Sequence, residues 1–431
     1  MNVYRFPLKQ HIGKEAVPSV TTGDTVVRGQ LLAYPAADTL SVPIHSSING
    51  TVTEVNASEI VIKADSTQSD FLPIEADSPL DAIRKAGIVG LGGAGFPTYA
   101  KLSSTIENGT VLVNAAECEP ILCHNMSRIQ KNATEIVKGL ETVMSIVKAK
   151  EGIIAIKEIH KEEIAVLRRE ISSHNIRLAL LPNSYPMGEE RAIIREALGI
   201  VLPPEELPSK ANAIVINVET LFRIYEAVFL HKPLIDKDLT IAGKMRGNHA
   251  KDLIQVFLDQ PIGISTKDLV EKAGGLENNY GELIAGGPFT GKRTSLSAPL
   301  VKTTGGIIAA ECFPKGPEKI GLLVCACGAD EARLRQIAAD MDSTVAGVEF
   351  CKQARLVNSN QKCENPGRCP GQVQKVMALK KAGAEALLIS NCTDCSNTVM
   401  SCAPQLKLPV YHCTDQALRA VNMPLIRKIK S

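Results

Sequence analysis

The chain has no tryptophan, and aromatic residues make up only 4% of its 431 positions. Few flat rings are available for nucleobases to stack on, which argues against a single-strand-binding platform. Charge of one sign is missing too: 48 Lys and Arg stand against 46 Asp and Glu, a net charge of +2, so no field exists to hold a polyanion or an anionic bilayer. The opening MNVYRFPLKQH has no apolar signal core. The most apolar later stretch, AIVINVETLFRIYEAVFL, is interrupted by Asn217, Glu219, Arg223 and Glu226, so no transmembrane segment is expected. Cysteine is scarce before residue 312, where only Cys118 and Cys123 occur, while ten of the twelve lie from Cys312 to Cys413. That is the wrong distribution for a disulfide framework and predicts metal or redox work in a reducing compartment, the cytoplasm.

What is present reads as an α/β multidomain protein, its 45% hydrophobic content spread over several cores. Residues 1–75 predict a small β module of sandwich-hybrid type, with turns at Gly23-Asp24 and Asn49-Gly50. GDTVVRGQ and NGTVTEV suit half of a lipoyl-type sandwich, but YPAADTLSV between them has no lysine to carry a swinging cofactor, leaving a scaffold. Residues 76–230 alternate strands and helices: VLVNA, GIIAIK, RLALLP and AIVINV are continuous apolar runs, as strands covered on both faces require. Ile129, Ala133, Ile136, Val137, Leu140, Val143, Met144 and Val147 form one helical stripe. Residues 231–313 predict a β-grasp module around STKDLVEKAGG. After the Pro314–Pro317 linker, residues 318–431 predict a second, cysteine-rich α/β domain with its cysteines mostly at strand ends.

The densest motif is GIVGLGGAGFPTYAKL, where Gly90, Gly92, Gly93 and Gly95 would let backbone N–H groups approach a phosphate. NAAECEP supplies Asn114, Glu117 and Glu119 as amide and acceptor groups, and YPMGEERAI adds Gly188, Glu189 and Glu190 at a turn opening a helix. GGPFTGKR has P-loop spacing, but Arg293 stands where a magnesium-binding Ser or Thr belongs, and it reads as a turn.

Taken in order, GIVGLGGAGFPT, NAAECEP, YPMGEER and INVET resemble the flavin and NADH motifs of the C subunit of the Rnf electron-transport complex and of the flavin-bearing subunit of respiratory NADH dehydrogenase. QHIGKEA, HSSINGTV and VKTTGGIIA extend the resemblance over about three-quarters of the chain and imply that the β-grasp module is of the SLBB ligand-binding type. The resemblance implies FMN cradled by Gly90, Gly92, Gly93 and Lys101, with Asn114, Glu117, Asn217 and Thr220 around its ring and ribityl chain. It implies NADH contacts at Phe96, Glu119 and Glu190; Ala116 replaces an acidic residue of the dehydrogenase.

The chain lacks the closely spaced cysteine runs with which Rnf C subunits hold two ferredoxin-type clusters. Its own pattern, Cys325-Ala-Cys327, Cys351, Cys363, Cys369, Cys392-Thr-Asp-Cys395, Cys402 and Cys413, resembles the Rnf-C relatives associated with D-proline reductase, members of which can carry selenocysteine. Three readings stay open: a thiol–disulfide relay; an iron–sulfur cluster on Cys325, Cys327, Cys351, Cys392 and Cys395; or structural zinc and buried cysteine. The expected function is an NADH-oxidising flavoprotein passing electrons through those cysteines to a partner reductase of D-proline reductase type, compatible with a homo-oligomer. The alternatives are an Rnf-like NADH:ferredoxin subunit and a flavin-free ligand-binding scaffold.

Overall fold

The computed structural model describes residues 3–68, 70–246, 253–358, 360–390 and 393–427. Cys392 lies outside the described residues. Near the N-terminus a sheet of Val3–Pro7, Thr25–Val26, Gly50–Val55 and Glu59–Ala64 faces a second one of Val17–Pro18, Leu31–Tyr34 and Ile44–His45. Phe6, Leu32, Ile44, Ile60 and Ile62 fill the space between them, and this core runs on into Leu239, Ile241, Leu269, Leu283 and Ile307 of the third segment. The first and third segments therefore fold around one interior, although the flavin motifs separate them in sequence.

The strands Thr110–Ala115, Glu151–Lys157, Ile176–Leu181 and Ala213–Asn217 form a parallel sheet in the spatial order third, second, first, fourth. Their inner residues, such as Leu112, Val113, Ile153 and Ile154, are buried because helices cover both faces. All eight residues of the apolar stripe are buried on the helix His124–Val147. Gly139 lets this helix cross Val218–Phe229 closely; a Cβ there would stand 2.3 Å from the Leu221 carbonyl oxygen. The strand order reverses beside Thr110–Ala115, so the crevice beyond its carboxyl end and that of Ala213–Asn217 is the switch point where such sheets bind ligands.

In the third segment the strands run Ile254–Pro261, Asp236–Gly243, Gly306–Ala310, Glu282–Ala285, Lys292–Thr294 across a mixed sheet, with the helix Thr266–Lys272 capped by Ser265. A buried ion network ties this sheet to the flavin-motif helices: Arg128 grips Asp238 at 2.7 and 2.6 Å, and Arg223 reaches the same carboxylate at 2.9 Å. Stripping one partner from such a network leaves an uncompensated charge and costs ~3–5 kcal/mol.

A second parallel sheet contains Lys319–Val324, Thr344–Phe350, Ala386–Ile389 and Val410–His412 in the order second, first, third, fourth. Its hairpin Ala354–Val357 and Asn360–Cys363 leans onto the flavin-motif domain, where Lys362 donates to the Pro204 carbonyl at 3.1 Å. Just beyond it, Arg195 donates to the Asn365 side chain at 2.7 Å and to the Pro366 carbonyl at 2.9 Å. The helix Asp415–Ala420 packs Ala417 and Leu418 against Ala242 and Ile308 of the third segment. Among the described residues no helix is long and apolar enough to cross a membrane.

Candidate functional site

Asn114 and Asn217 end neighbouring parallel strands in register, and the glycine loop 90–96 lies beside them. Together they open a cleft of about 360 Å³ lined by Gly90, Gly92, Phe96, Lys101, Asn114, Gly188, Glu189, Glu190, Asn217 and Thr220. An adjoining lobe of about 170 Å³ adds Gly93, Glu117, Cys118 and Glu119. The residues that the resemblance assigned to FMN and NADH thus face one of two lobes that share Gly92, Asn114, Gly188 and Asn217, whereas Gly95 of the glycine loop lines neither and packs toward Thr303.

Local hydrogen bonds hold this lining. The Gly90 N–H donates to the Phe96 carbonyl and the Gly95 N–H to the Gly90 carbonyl, each at 2.9 Å, closing the loop on itself. Leu91 N–H donates to the Thr220 hydroxyl at 3.1 Å, which anchors the loop to the start of the helix Val218–Phe229. Asn217 caps that helix by accepting from the Glu219 N–H at 2.9 Å. Asn114 donates its amide to the Gly188 carbonyl at 2.9 Å, while Glu189 caps the helix Glu190–Leu198 through the Ala192 N–H at 3.0 Å. Lys101 reaches Glu190 at 2.9 Å and the Val215 carbonyl at 3.0 Å.

The two central glycines are needed for different reasons. At Gly92 a Cβ would stand 3.1 Å from the Asn217 amide nitrogen, so crowding decides. Gly93 has φ +94 and no protein atom within 4 Å of a built Cβ, so there the backbone conformation decides, and the space above it is open to a ligand.

Glu117 and Glu119 are both engaged. The Glu117 carboxylate accepts from the Asn125 N–H at 2.9 Å. Glu119 accepts from the Phe289 N–H at 2.8 Å, the Thr290 N–H at 2.9 Å and the Thr290 hydroxyl at 2.6 Å, so it pins the GGPFTGKR turn against the cleft. Burial pushes its carboxyl above the usual range, and those donors oppose the shift. Ala116 lies in the apolar core beside Leu112 and Ile193.

Two cations in the cleft escaped the sequence reading. Arg191, in the YPMGEER motif, is 7% exposed, donates Nε to Glu189 at 2.9 Å, and leaves Nη1 buried without a partner. Lys362 arrives from the cysteine-rich domain to line the same cleft. An orphaned guanidinium donor beside Lys101, Lys362 and two helix N-termini is the donor set a phosphate-bearing cofactor such as FMN needs. Arg191 was visible inside its motif; Lys362 had no local signal.

Across Tyr185 lies the second site. The Tyr185 hydroxyl donates to the Cys327 carbonyl, its N–H donates to the Thr393 hydroxyl at 3.3 Å, and its ring stacks on Phe289 with centroids 3.7 Å apart. Cys118 packs in the same cluster, and burial pushes its thiol up to about 12. Cys325 follows Lys319–Val324, Cys351 follows Thr344–Phe350, and Cys395 lies in the first turn of the helix Thr393–Cys402. The three sulfurs lie within 4.8 Å of one another and are buried. Cys327 contacts both Cys325 and Cys363, and Cys369 contacts Cys395. The structure thus adds Cys363 and Cys369 to the candidates. Contact with Cys327, Cys351 and Cys395 pulls the Cys325 thiol well below its ordinary value. Beside Cys413, His412 is buried, with Nδ1 held by Thr414.

Residues 83–226 match the Nuo51 FMN-binding domain family, and residues 2–78 match the RnfC barrel sandwich hybrid domain family. The chain is 32% identical to the C subunit of the Na(+)-translocating ferredoxin:NAD(+) oxidoreductase complex of Acetobacterium woodii, over 73% of this chain and 74% of that one. It is 33% identical to the C subunit of the ion-translocating oxidoreductase complex of Pseudomonas aeruginosa over 75% of this chain, and 37% identical to cobalamin reductase PduS of Salmonella typhimurium over 55% of it. It spans 44% and 51% of the lengths of those two proteins. Its N-terminal barrel-sandwich module, its FMN-binding domain and its identity to these proteins place the chain in the RnfC family of oxidoreductase electron-transfer subunits.

Proposed function

We propose that the chain oxidises NADH at an FMN held in the cleft and delivers the electrons through its cysteine-rich edge to a partner reductase. The observation that carries this reading is the facing of two parallel-sheet carboxyl edges across Tyr185, with glycines, amides and cations on one and thiols on the other. FMN, when bound, would supply hydride acceptance from the nicotinamide and release of electrons one or two at a time. The chain's residues do the rest. Lys101, Arg191 and Lys362 hold phosphate, Asn114 and Asn217 orient the cofactor, and Phe96 and Glu190 bound the nicotinamide side. Glu119 shapes that side indirectly, by pinning the 287–291 turn over the smaller lobe.

We assign 236–310 to an SLBB-type β-grasp module on its strand order, with its first and last strands parallel neighbours. Free clustered thiols fit a reducing compartment, the cytoplasm. For the acceptor, the cysteine arrangement supports a reductase of D-proline reductase type. The activity for which the Acetobacterium relative is named favours ferredoxin as the second reading. The test is anaerobic: purified full-length protein should be yellow, release FMN on denaturation and bleach with NADH, then pass electrons to one acceptor and not the other. A colourless chain that fails to take up added FMN would leave only a ligand-binding scaffold.

A further inference from the structure

The cysteines of the second sheet do not form one undifferentiated cluster. Cys325, Cys351 and Cys395 have their sulfurs within 4.8 Å of one another. Cys369 flanks this trio without belonging to the 4.8 Å group: its sulfur contacts Cys395, and its N–H donates to Asp394, on the helix that carries Cys395. Cys327 touches Cys325 from the other side but pairs with Cys363, toward the flavin cleft.

Gln372 explains what the first four are for. It is 1% exposed, and its orientation is set because its Oε1 accepts from the Lys352 N–H at 3.3 Å. Its amide nitrogen therefore points its hydrogens at Cys351 Sγ, 3.0 Å away, and Cys369 Sγ, 3.2 Å away. The Gly371 N–H adds a second donor to Cys369 Sγ at 3.4 Å. A thiolate accepts such hydrogen bonds far better than a neutral thiol, so a buried amide committed to two sulfurs favours their charged form. Thiolates gathered in a buried site are held together best by a cation between them.

We propose that Cys325, Cys351, Cys369 and Cys395 bind one thiophilic divalent metal ion, Zn(II) or Fe(II), as a tetrathiolate, with Gln372 donating to two of the sulfurs. Metal–sulfur bonds of about 2.3 Å in a tetrahedron give sulfur–sulfur edges of ~3.8 Å; Cys325, Cys351 and Cys395 already stand within 4.8 Å of one another, and Cys369, in contact with Cys395, would close in as the fourth ligand. Thiolates on separate irons of a cluster must stand farther apart. The ion would take these four thiols out of any dithiol exchange and leave Cys327 and Cys363 as the exchangeable pair. That bearing on electron transfer rests on the function proposed above, whereas the metal site does not.

The experiment is metal analysis of full-length protein prepared anaerobically, followed by replacement with Co(II). The expected result is one zinc or iron per chain without acid-labile sulfide, and a cobalt form with intense thiolate charge-transfer and tetrahedral visible bands. Gln372→Leu should keep those bands and weaken cobalt binding ~10–100-fold, as for other groups that orient metal ligands. Cys351→Ser and Cys369→Ser should weaken it more and lose charge-transfer intensity, whereas Cys327→Ser, Cys363→Ser and Cys392→Ser should leave the cobalt spectrum unchanged. Retained flavin binding reports that each variant folds. Iron with equimolar sulfide, unaltered cobalt binding by Cys369→Ser, or its loss on Cys392→Ser would overturn the assignment. A flavin that bleaches with NADH in a chain that takes no metal sinks this inference alone; a metal-replete chain that binds no flavin sinks the proposed function alone.

Discussion

The flavin-motif sheet and the cysteine-rich sheet share an architecture, four parallel strands with helices between them, yet one edge ends in Gly, Asn and Glu and the other in Cys. A parallel sheet sends all its strand ends to one side, so the backbone dictates where chemistry can sit and leaves its kind to a few side chains. The edges also differ in support. The flavin edge is built largely from helix caps and loop hydrogen bonds, while the cysteine edge is held by sulfur contacts and by one buried amide.

If the two edges divide labour, the largest effect comes from cutting the path between them. Replacing Cys327 and Cys363 together by serine should abolish delivery to the natural acceptor while NADH-driven reduction of an artificial dye persists at the parent rate. Equal loss of both activities would show that the edges act as one site. Point variants suit this test better than removal of residues 318–431, because that domain covers Tyr185 and Phe289 and packs the helix Asp415–Ala420 onto the third segment.

The converse damage should be confined to the flavin edge. A Cβ at Gly188 would lie 2.8 Å from the Cys118 Cβ, so Gly188→Val overpacks the cleft floor and should weaken FMN by ~5–150-fold, following ~1–3 kcal/mol of strain. Gly92→Leu, which also thrusts its side chain at Asn217, should do at least as much. Flavin fluorescence titration measures both, and thiol counts in denaturant-free buffer should stay at the parent value. A smaller step is Arg191→Met, which removes the orphaned donor: about tenfold weaker FMN, for ~1.5 kcal/mol of a charged hydrogen bond. Unchanged affinity would mean that the guanidinium faces no phosphate.

The two edges were not equally legible in the sequence. VLVNA, GIIAIK and AIVINV announced the first sheet because doubly covered strands are continuous apolar runs, whereas RLALLP, equally apolar, is its edge strand Ile176–Leu181 with Leu180 exposed, so the expected cover on both faces fails there; motifs such as GLGGAGFPT and NAAECEP are local, so their residues arrive at one cleft together. The cysteine edge draws each thiol from a different strand end or loop, and no spacing rule links Cys369 to Cys325 or Cys363 to Cys327. Lys362 and the turn that occupies Glu119 were hidden likewise, since both contacts cross between segments far apart in the chain. The shared core of the first and third segments was equally unreadable, because each pattern is complete by itself.

The finest distinction is in how buried groups behind the flavin edge titrate. Lys302 is fully buried where the N-terminal module meets the flavin-motif domain and donates to the Pro43 and Gly87 carbonyls at 2.9 and 2.8 Å. Burial lowers its amine from an ordinary 10.5 to about 7. The unfolded chain then holds more protons than the folded one between those values, so this group's stabilising contribution is present above pH 10.5 and is lost as pH falls to about 7. Cys118, facing the cysteine edge, works in the opposite sense. Its thiol is raised from 9 to about 12, so its contribution is intact below pH 9 and fades as pH rises toward 12. Denaturant melts from pH 7 to 11 should therefore show Lys302→Met flattening the rise on the low-pH side and Cys118→Ala flattening the fall on the high-pH side. Parent and variant curves that stay parallel through both windows would mean that neither group titrates differently in the folded protein, and that the boundary between the two edges is wetter than its packing indicates.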